Sequence, residues 1–171
     1  MTGRSRMGFA PPVLGKAHKQ VLPGAVEPVR NPDAVLFACT FNSIRSPMAA
    51  ALARDVTGGR IYVDSVGVKA EPINPFILEV MKERGIDMGA HYPKTFEDLE
   101  DTSFDLIVTL SPHAQHHAVA LTDTMACDVE YWPTIDPTAA LEGGSRAQKL
   151  DIFRALRDAL EARIKERLGA E

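Results

Sequence analysis

The sequence has only two cysteines, Cys39 and Cys127, and no long apolar run. Two cysteines do not support the disulfide framework typical of small secreted domains. No stretch approaches the roughly 18 to 20 uninterrupted apolar residues of a membrane helix, and the N-terminus lacks the apolar run of about 7 to 15 residues found in signal peptides. We therefore expect a cytoplasmic protein with no membrane partner, in which a cysteine in a special setting indicates catalysis.

The chain also lacks the strong positive charge on which nucleic-acid binding depends. Its net charge is −4, and its basic side chains are concentrated in residues 1–33, which leaves the remainder acidic. Nucleic acid is therefore not an expected partner. The sequence gives no indication of the oligomeric state.

Sustained periodicity is missing from residues 1–33, where five prolines are scattered among glycines and basic residues. This pattern predicts an irregular N-terminal extension. The remaining residues, 34–171, suffice for one compact domain and are too few for two ordinary ones. We therefore expect a single folded domain after the extension.

The domain alternates short apolar runs with longer amphipathic segments, which predicts an α/β fold. The predicted strands are residues 34–38, 61–63, 104–110 and 129–132. Helical crossovers between them imply a four-stranded parallel sheet with helices on both faces, a three-layer sandwich. In such sheets the site lies beyond the carboxyl ends of the strands.

Three helix starts are indicated by a polar residue before a proline. Proline suits the first helical position, and the polar side chain caps free N–H groups. The three pairs are Ser46-Pro47, Asn74-Pro75 and Ser111-Pro112. The second helix is predicted to run to Arg84 and to end at Gly85, and the last helix is predicted over residues 145–168.

A cysteine and an arginine bracket five residues at the end of the first predicted strand. The segment reads Cys39, Thr40, Phe41, Asn42, Ser43, Ile44, Arg45, Ser46 and Pro47. A loop of this length can turn successive backbone N–H groups inward, and the following helix adds its positive N-terminal end, so together they form an anion site. Arg45 would hold two phosphate oxygens in its planar fork. The same positive field favours the thiolate of Cys39, which is the nucleophilic form.

Cysteine and arginine at this spacing are a weak signal alone, and the residues around them strengthen it. Asn42 suits a tight loop because asparagine tolerates positive φ best after glycine. Ser46 is placed to cap the helix and to donate a hydrogen bond to the thiolate. The sequence therefore predicts a phosphate-binding loop at residues 40–46, with Cys39 as the nucleophile.

An alkoxide or phenoxide leaving phosphorus requires a proton, so an acid is expected on another loop at the same edge of the sheet. Asp136 follows the last predicted strand and precedes Pro137, which would stiffen the loop that presents the carboxyl group. An Asp-Pro pair alone more often marks a surface turn. The loop at Cys39 favours the catalytic interpretation.

At these residues the chain resembles the low-molecular-weight protein tyrosine phosphatases and the arsenate reductases that share their fold. The resemblance runs from residue 33 to the C-terminus. Besides the Cys-x5-Arg-Ser-Pro block, it includes Asp64-Ser65-Val66-Gly67 as a turn after the second strand, Gly85-Ile86-Asp87 before His91, the strand at 104–110, and Asp136-Pro137. It implies a phosphotyrosine protein phosphatase I-like fold and an enzyme that needs no cofactor.

By this resemblance, Cys39 attacks phosphorus to form a phosphocysteine and Arg45 binds the transferring group. Asp136 protonates the leaving oxygen and then assists water. The substrate would be a protein carrying phosphotyrosine or a small phosphate ester. The positions that hold the loop in shape would be Asn42, Ser46, Ser65 and His91; for His91, an ordinary surface histidine is the alternative.

Three departures from the family pattern bear on specificity. Phe41 stands where the family usually has glycine, and it would form an apolar wall or narrow the entrance. Ile44 stands where many phosphatases have a second cysteine, which protects the nucleophile as a disulfide. The residues after Asp136-Pro137 are Thr138, Ala139 and Ala140 in place of the paired tyrosines of animal members. Strict tyrosine specificity therefore does not follow from the resemblance.

Two other functions remain open from the sequence. An arsenate reductase would bind arsenate in the same loop, and its thiol relay would need a further cysteine, for which only Cys127 is available. Cys127 lies at the start of the last predicted strand, where a free cysteine is usually a small buried apolar residue. A phosphate-binding module without turnover would result if Phe41 blocked the approach to Cys39.

A metal site is not predicted. His113, His116 and His117 share one side of the helix after the third strand, but the sequence places no matching carboxylate or thiolate cluster near them. We interpret these histidines as a solvated polar helix face.

Overall fold

The computed structural model of the protein describes residues 18–19, 31–100 and 103–169, without the side chains of residues 18, 19, 140 and 141. Within these residues, five strands form one sheet: β1 (His18–Lys19), β2 (Ala34–Cys39), β3 (Tyr62–Gly67), β4 (Leu106–Thr109) and β5 (Asp128–Tyr131). Their order across the sheet is β1-β5-β4-β2-β3. Strands β2 to β5 are parallel, as predicted. Cys39 therefore lies at the carboxyl edge, on a strand with neighbours on both sides.

Four helices surround the sheet: α1 (Arg45–Thr57), α2 (Pro75–Lys82), α3 (Pro112–Leu121) and α4 (Arg146–Leu168). Two short 3₁₀ turns occupy Phe96–Asp98 and Pro137–Leu141. One core cluster packs α1, α2 and α4 on one face of the sheet, and a second packs α3 and the first 3₁₀ turn on the other. The predicted three-layer α/β sandwich is confirmed.

Strand β2 has a continuous apolar sequence because both of its faces are covered by helices. Phe37 belongs to the core cluster under α1 and α4, whereas Leu36 and Ala38 belong to the cluster under α3. Successive side chains of a strand point to opposite faces, so a strand covered on both sides is apolar throughout. This packing fixes β2, and with it the position of Cys39 at its end.

The extension predicted to be irregular contributes one short strand to the sheet. Within residues 1–33 the structure describes 18–19 and 31–33, and β1 pairs antiparallel with β5 through His18 opposite Tyr131 and Lys19 opposite Glu130. Two residues are too few to produce a period in the sequence. The rest of the predicted extension lies outside the described residues.

Strand β3 corrects the sequence prediction. The predicted strand ends at Val63, and the family resemblance places a turn at 64–67, yet β3 continues through Gly67 and pairs with β2 along its whole length. Two polar residues interrupt the apolar pattern. Asp64 forms an ion pair with Lys94 over 2.7 Å, and the Ser65 hydroxyl accepts from Asn42. Because their partners lie far along the chain, local sequence does not reveal the strand.

The start of α1 also differs from its prediction. Ser46 is not the N-cap: the helix begins at Arg45 after Ile44, and no side chain caps it. The Ser46 hydroxyl donates to Val66 O and contacts the Cys39 sulfur instead. The other two predicted caps are confirmed, since Asn74 accepts from Phe76 N and Ser111 accepts from Ala114 N.

The remaining boundaries differ from the predictions by a few residues. Strand β4 is shorter than the predicted 104–110, and α2 ends at Lys82 rather than Arg84, although Gly85 has the left-handed conformation that was predicted, with φ of 73°. Helix α4 matches the predicted 145–168, with Ser145 as its cap. No helix in the described part of the chain is long and apolar enough to cross a bilayer.

Candidate active site

The loop between β2 and α1 turns its carbonyl groups outward. The five hydrogen bonds are Val68 N to Cys39 O, Lys69 N to Thr40 O, Glu71 N to Phe41 O, His91 Nε2 to Asn42 O and Asn74 N to Ser43 O, with lengths between 2.9 and 3.2 Å. Among the described residues, the amides of residues 40–45 find no protein acceptor. A run of inward amides at a helix N-terminus is an anion site. The loop predicted to bind phosphate therefore has its carbonyl groups bonded on the outside and its amide groups without a protein acceptor.

Asn42 is the centre of this loop. It is the only non-glycine with positive φ in the described part of the chain, at 55°, as the sequence analysis expected of asparagine here. Its fully buried amide donates to the Ser46 and Ser65 hydroxyls at 2.8 and 3.0 Å and accepts from Lys94 N at 3.0 Å. These contacts tie the loop to α1, β3 and the segment before the first 3₁₀ turn.

His91 supports the same loop from outside. Its Nε2 lies 3.2 Å from Asn42 O, and because a carbonyl can only accept, this nitrogen carries the proton. Burial lowers the pKa of His91, against the opposing effect of that hydrogen bond. Of the two alternatives for His91, the structure places it in contact with the loop rather than on an isolated surface.

Gly67 makes room for the loop behind it. A Cβ at this position would lie 2.3 Å from Lys69 O and 2.6 Å from Asn42 N, distances that backbone atoms cannot accommodate. The sequence analysis noted Gly67 as part of a turn and missed this role. A glycine at the carboxyl end of a strand, next to a tight loop, is the signal that could have indicated it.

The Cys39 sulfur lies at the base of the loop and is almost fully buried. The Ser46 hydroxyl is 3.0 Å from the sulfur, and Ser46 N donates to it over 3.4 Å. Both contacts come from the first turn of α1, whose free N–H groups carry partial positive charge. The sulfur is therefore held beside the N-terminus of α1, at the end of the loop that begins at Cys39.

Arg45 reaches across the sheet from the opposite end of the loop. Its Nη1 donates to Leu110 O, after β4, and to Thr134 O, after β5, at 3.3 and 3.0 Å. These two bonds fix the plane of the guanidinium and leave Nη2 directed toward Asp136, whose Oδ2 lies 3.8 Å away. A buried, pre-oriented guanidinium is suited to bidentate contact with an oxyanion.

Asp136 stands at the start of the second 3₁₀ turn with a side chain that is 42% exposed. Its Oδ1 accepts from Thr138 N and Thr138 Oγ1 at 3.0 and 2.7 Å, so Thr138 holds the carboxylate at the edge of the pocket. The other oxygen faces Arg45. Asp136 is therefore held within reach of a group bound in the loop.

One cavity of about 270 Å³ brings the three predicted catalytic side chains together. It is lined by Cys39, Phe41, Ser43, Ile44, Arg45, Glu71, Asp136 and Thr138. Phe41 forms part of its wall and does not have the positive φ that only glycine favours. Of the supporting residues, Ser65 and His91 lie behind the loop and contact it through Asn42.

Glu71 is a member of this cavity that the sequence analysis missed. It is exposed, and its backbone amide holds Phe41 O. The residue follows β3 on a loop at the carboxyl edge, which is the position where functional side chains of parallel sheets gather. That placement is the signal that could have indicated it.

The histidines of α3 show no sign of a metal site. His117 stacks on Phe96 with 4.5 Å between ring centroids and faces Glu97 at 3.5 Å, while His113 and His116 are exposed. The described residues contain no cluster of three or more histidine, cysteine, aspartate or glutamate side chains suited to a metal ion.

Comparison with known proteins agrees with this geometry. The family model of low molecular weight phosphotyrosine protein phosphatase matches residues 34–170. The chain belongs to this family. Its curated relatives include an arsenate reductase of Halalkalibacterium halodurans, which is 33% identical over 135 residues, covering 79% of this chain and 94% of the relative.

Solved structures of both kinds of protein share the fold of this phosphatase-family chain. A low molecular weight protein tyrosine phosphatase from T. tengcongensis superposes with a TM-score of 0.62 at 26% identity, covering 78% of this chain and 95% of the other. An arsenate reductase in the phosphate binding state gives a TM-score of 0.61 at 26% identity with the same coverage. Proteins named for two different activities, a tyrosine phosphatase and an arsenate reductase, therefore share this fold.

Proposed function

We propose that the protein is a phosphomonoester hydrolase that acts through a phosphocysteine on Cys39. The observation that supports this most strongly is the meeting of Cys39, Arg45 and Asp136 in one cavity around an inward ring of amides. A hydrolase needs a nucleophile, a clamp for the transferring group and an acid. In the proposal, Cys39 is the nucleophile, Arg45 the clamp and Asp136 the acid.

The proposed reaction has two steps. In the first, the Cys39 sulfur attacks phosphorus, the bond to the ester oxygen breaks, and the proton of Asp136 passes to the leaving oxygen. In the second, Asp136 takes a proton from water, whose oxygen attacks phosphorus, and the bond to sulfur breaks to release inorganic phosphate. Arg45 and the loop amides hold the equatorial oxygens in both steps, and the backbone N–H of Ser46, which donates to the sulfur, stabilises the thiolate as a leaving group.

The substrate class that we propose is a phosphotyrosine side chain of a protein or a small aryl phosphate. Phe41 gives the cavity an aromatic wall, and aromatic rings pack favourably against one another. We also propose that the protein acts in the cytoplasm, because the mechanism needs a reduced Cys39.

Leaving-group dependence tests the roles of Asp136 and Cys39 together. General acid catalysis contributes about 10²- to 10⁴-fold, and only for leaving groups that need a proton. We expect Asp136→Asn to lower kcat/KM, which reports the step that expels the leaving group, strongly for phenyl phosphate and much less for para-nitrophenyl phosphate, whose phenolate leaves readily. Cys39→Ser should abolish both reactions. Equal losses on the two substrates in Asp136→Asn would contradict the acid role, and phosphate binding without turnover would favour a binding module.

Arsenate reduction is the second candidate, because the curated relatives include arsenate reductases at 33% identity. The structure disfavours an internal relay. The strand register separates Cys127 from Cys39 by about 16 Å along the strand direction and by about 10 Å, two strand spacings, perpendicular to it. A disulfide needs the two Cα atoms within about 7 Å of each other. The two cysteines also pack into different core clusters.

An arsenate-dependent thiol oxidation assay with thioredoxin separates the two functions. A phosphatase should show no arsenate-dependent oxidation of thioredoxin in the wild type or in Cys127→Ser. Arsenate turnover in the wild type that is lost in Cys127→Ser would establish the relay and overturn the hydrolase assignment.

A further inference from the structure

The loop that presents Asp136 has little side-chain packing to orient the carboxyl group. Ile135 is 82% exposed, the side chain of Asp136 is 42% exposed, and Thr138 is exposed as well. Pro137, between them, is buried. A functional side chain is fixed either by packing or by hydrogen bonds from its neighbours. The orientation of the Asp136 carboxyl group therefore depends on its hydrogen bonds.

Two donors of Thr138 converge on one oxygen of this carboxyl group. The backbone N–H of Thr138 donates to Asp136 Oδ1 over 3.0 Å, and the hydroxyl donates to the same oxygen over 2.7 Å. Asp136 caps the 3₁₀ turn Pro137–Leu141, and because proline has no N–H, the amide of Thr138 is the first that the cap can reach. That amide bond alone completes the cap. The hydroxyl bond is additional, and it depends on the side chain at position 138.

These contacts distinguish the two oxygens of Asp136. An amide N–H can only donate, so a proton on Oδ1 would compete with the N–H of Thr138 for the same oxygen. Oδ2 accepts no hydrogen bond from the described residues, and Arg45 Nη2 lies 3.8 Å from it, beyond hydrogen-bond distance. Oδ2 is therefore the oxygen that is left for a proton, and it faces the guanidinium in the cavity around Cys39.

We propose that Thr138 is a positioning residue for the acid: it keeps the proton on Asp136 Oδ2 and directs this oxygen to the ester oxygen of the substrate. As the bond from sulfur to phosphorus forms and the bond from phosphorus to the ester oxygen breaks, the proton passes from Oδ2 to that ester oxygen. In the second step, Oδ2 takes a proton from the water whose oxygen attacks phosphorus, and the thiolate leaves. This role rests on the proposed hydrolase function and names the atom that transfers the proton.

The backbone before Asp136 is held independently of Thr138. Thr134 O accepts from Arg45 over 3.0 Å, and the Thr134 hydroxyl donates to Trp132 O over 2.7 Å. Loss of the Thr138 hydroxyl should therefore let the carboxyl group turn without displacing the loop or Arg45. Proton transfer should be impaired, and binding of the phosphoryl group should not change.

Thr138→Val and Thr138→Ser test the hydroxyl on the full chain. Valine keeps the branched shape and the backbone N–H but lacks the hydroxyl, whereas serine keeps the hydroxyl. We expect Thr138→Val to lower kcat/KM for phenyl phosphate by about three- to tenfold, which corresponds to the loss of one hydrogen bond. For para-nitrophenyl phosphate the change should stay below about twofold, because that phenolate leaves without a proton. Thr138→Ser should retain both kcat/KM values, and vanadate should inhibit all three proteins equally.

Thr124→Val is the matched control. It removes a hydroxyl from another exposed threonine, one that donates to Leu121 O at the end of α3 and does not line the cavity around Cys39. We expect both kcat/KM values to be unchanged in this variant. Equal losses on the two substrates in Thr138→Val, no loss on phenyl phosphate, or the same loss in Thr138→Ser would overturn the role of Thr138.

Asp136→Asn separates failure of this role from failure of the proposed function. In that background, Thr138→Val should cause no further loss on phenyl phosphate, because no proton remains to be positioned; a full additional loss would refute the role of Thr138. If Asp136→Asn affects the two substrates unequally and Thr138→Val does not, the hydrolase function stands and the role of Thr138 is refuted. If Asp136→Asn lowers both kcat/KM values equally, the acid role of Asp136 fails, and the role of Thr138 fails with it.

Discussion

Individual side chains in the site are fixed by more than one partner, and this explains how a short loop keeps its shape. Asn42 alone contacts Ser46, Ser65 and Lys94 N through its amide. Arg45 is held by two carbonyl groups from different segments. Pre-oriented groups do not have to reorganise when charge develops during the reaction. Only Glu71 brings a negative charge into the cavity without an evident role in that reaction.

Glu71 is expected to weaken the binding of anionic substrates. Because Glu71 lines the cavity in which we propose that a phosphate dianion binds, Glu71→Gln should lower KM for para-nitrophenyl phosphate by about two- to fivefold at low ionic strength, with little change in kcat. The effect should shrink at about 1 M salt, where the Debye length is about 3 Å. Glu100→Gln, which removes an exposed carboxylate outside the cavity, is the matched control. An unchanged KM in Glu71→Gln would contradict the repulsion.

Cys127 is expected to be a poorly reactive thiol. Burial, together with Asp128 and Asp105, raises its pKa to about 11. Since the thiolate is the reactive form, iodoacetamide should alkylate Cys127 in folded Cys39→Ser far more slowly at about pH 8 than in the same variant unfolded in guanidinium, and the rate in the folded protein should climb as pH approaches 11. The measurement is mass spectrometry over a time course. Rapid labelling of the folded variant at about pH 8 would contradict this assignment and reopen a redox role.

At the scale of the elements, the loop depends on β3 and on the segment that follows it. Residues 68–74 donate four backbone hydrogen bonds to the loop carbonyls, and Gly67 lets the two backbones approach. Strand β3 pairs with β2 from Ala34 to Cys39. Residues 68–74 and the loop after Cys39 therefore both begin at the carboxyl edge of the sheet. The strand thus positions the loop between Cys39 and Arg45, although it supplies none of the side chains that we propose for catalysis.

Gly67→Ala should separate loop geometry from overall stability. The added Cβ would meet Lys69 O at 2.3 Å and Asn42 N at 2.6 Å, so the loop must shift. We expect the free energy of unfolding to fall by about 1 to 3 kcal/mol, as in other overpacked sites, and kcat/KM to fall by about 100-fold, the loss that a displacement of about 1 Å can cause.

Gly89→Ala provides the comparison for this variant, because its Cβ would meet only the Asp87 side chain, at 3.1 Å. Urea denaturation and steady-state kinetics on both proteins give the result. If Gly67→Ala retained the activity of Gly89→Ala, the close approach of the backbones would not matter for catalysis.

The elements also show how far sequence reasoning extends. Signals that act within a few residues were sufficient: the caps at Asn74 and Ser111, the left-handed Gly85, the positive φ of Asn42 and the four parallel strands. Features set by distant partners were missed. Ser46 was predicted to cap α1, but its hydroxyl donates to Val66 O and contacts the Cys39 sulfur. The second half of β3 is polar, and it forms a strand because Ser65 bonds to Asn42 and Asp64 pairs with Lys94.

At the scale of the whole molecule, the sheet order assembles the site. Cys39 ends β2, Gly67 ends β3, Leu110 follows β4 and Asp136 follows β5, and all four meet at the carboxyl edge. Arg45 bonds to carbonyls 65 and 89 residues away in sequence. Folding therefore creates the cavity, and the sequence could indicate Cys39, Arg45 and Asp136 as its members but not Glu71.

Trapping the covalent intermediate tests the central claim most directly. Asp136→Ala should be mixed with para-nitrophenyl phosphate, quenched rapidly and analysed by peptide mapping. The account predicts one phosphoryl group on Cys39, accumulating because hydrolysis of the phosphocysteine lacks its base, and none in Cys39→Ser. Phosphate release without a phosphoryl group on Cys39, or a phosphoryl group on another residue, would contradict the account.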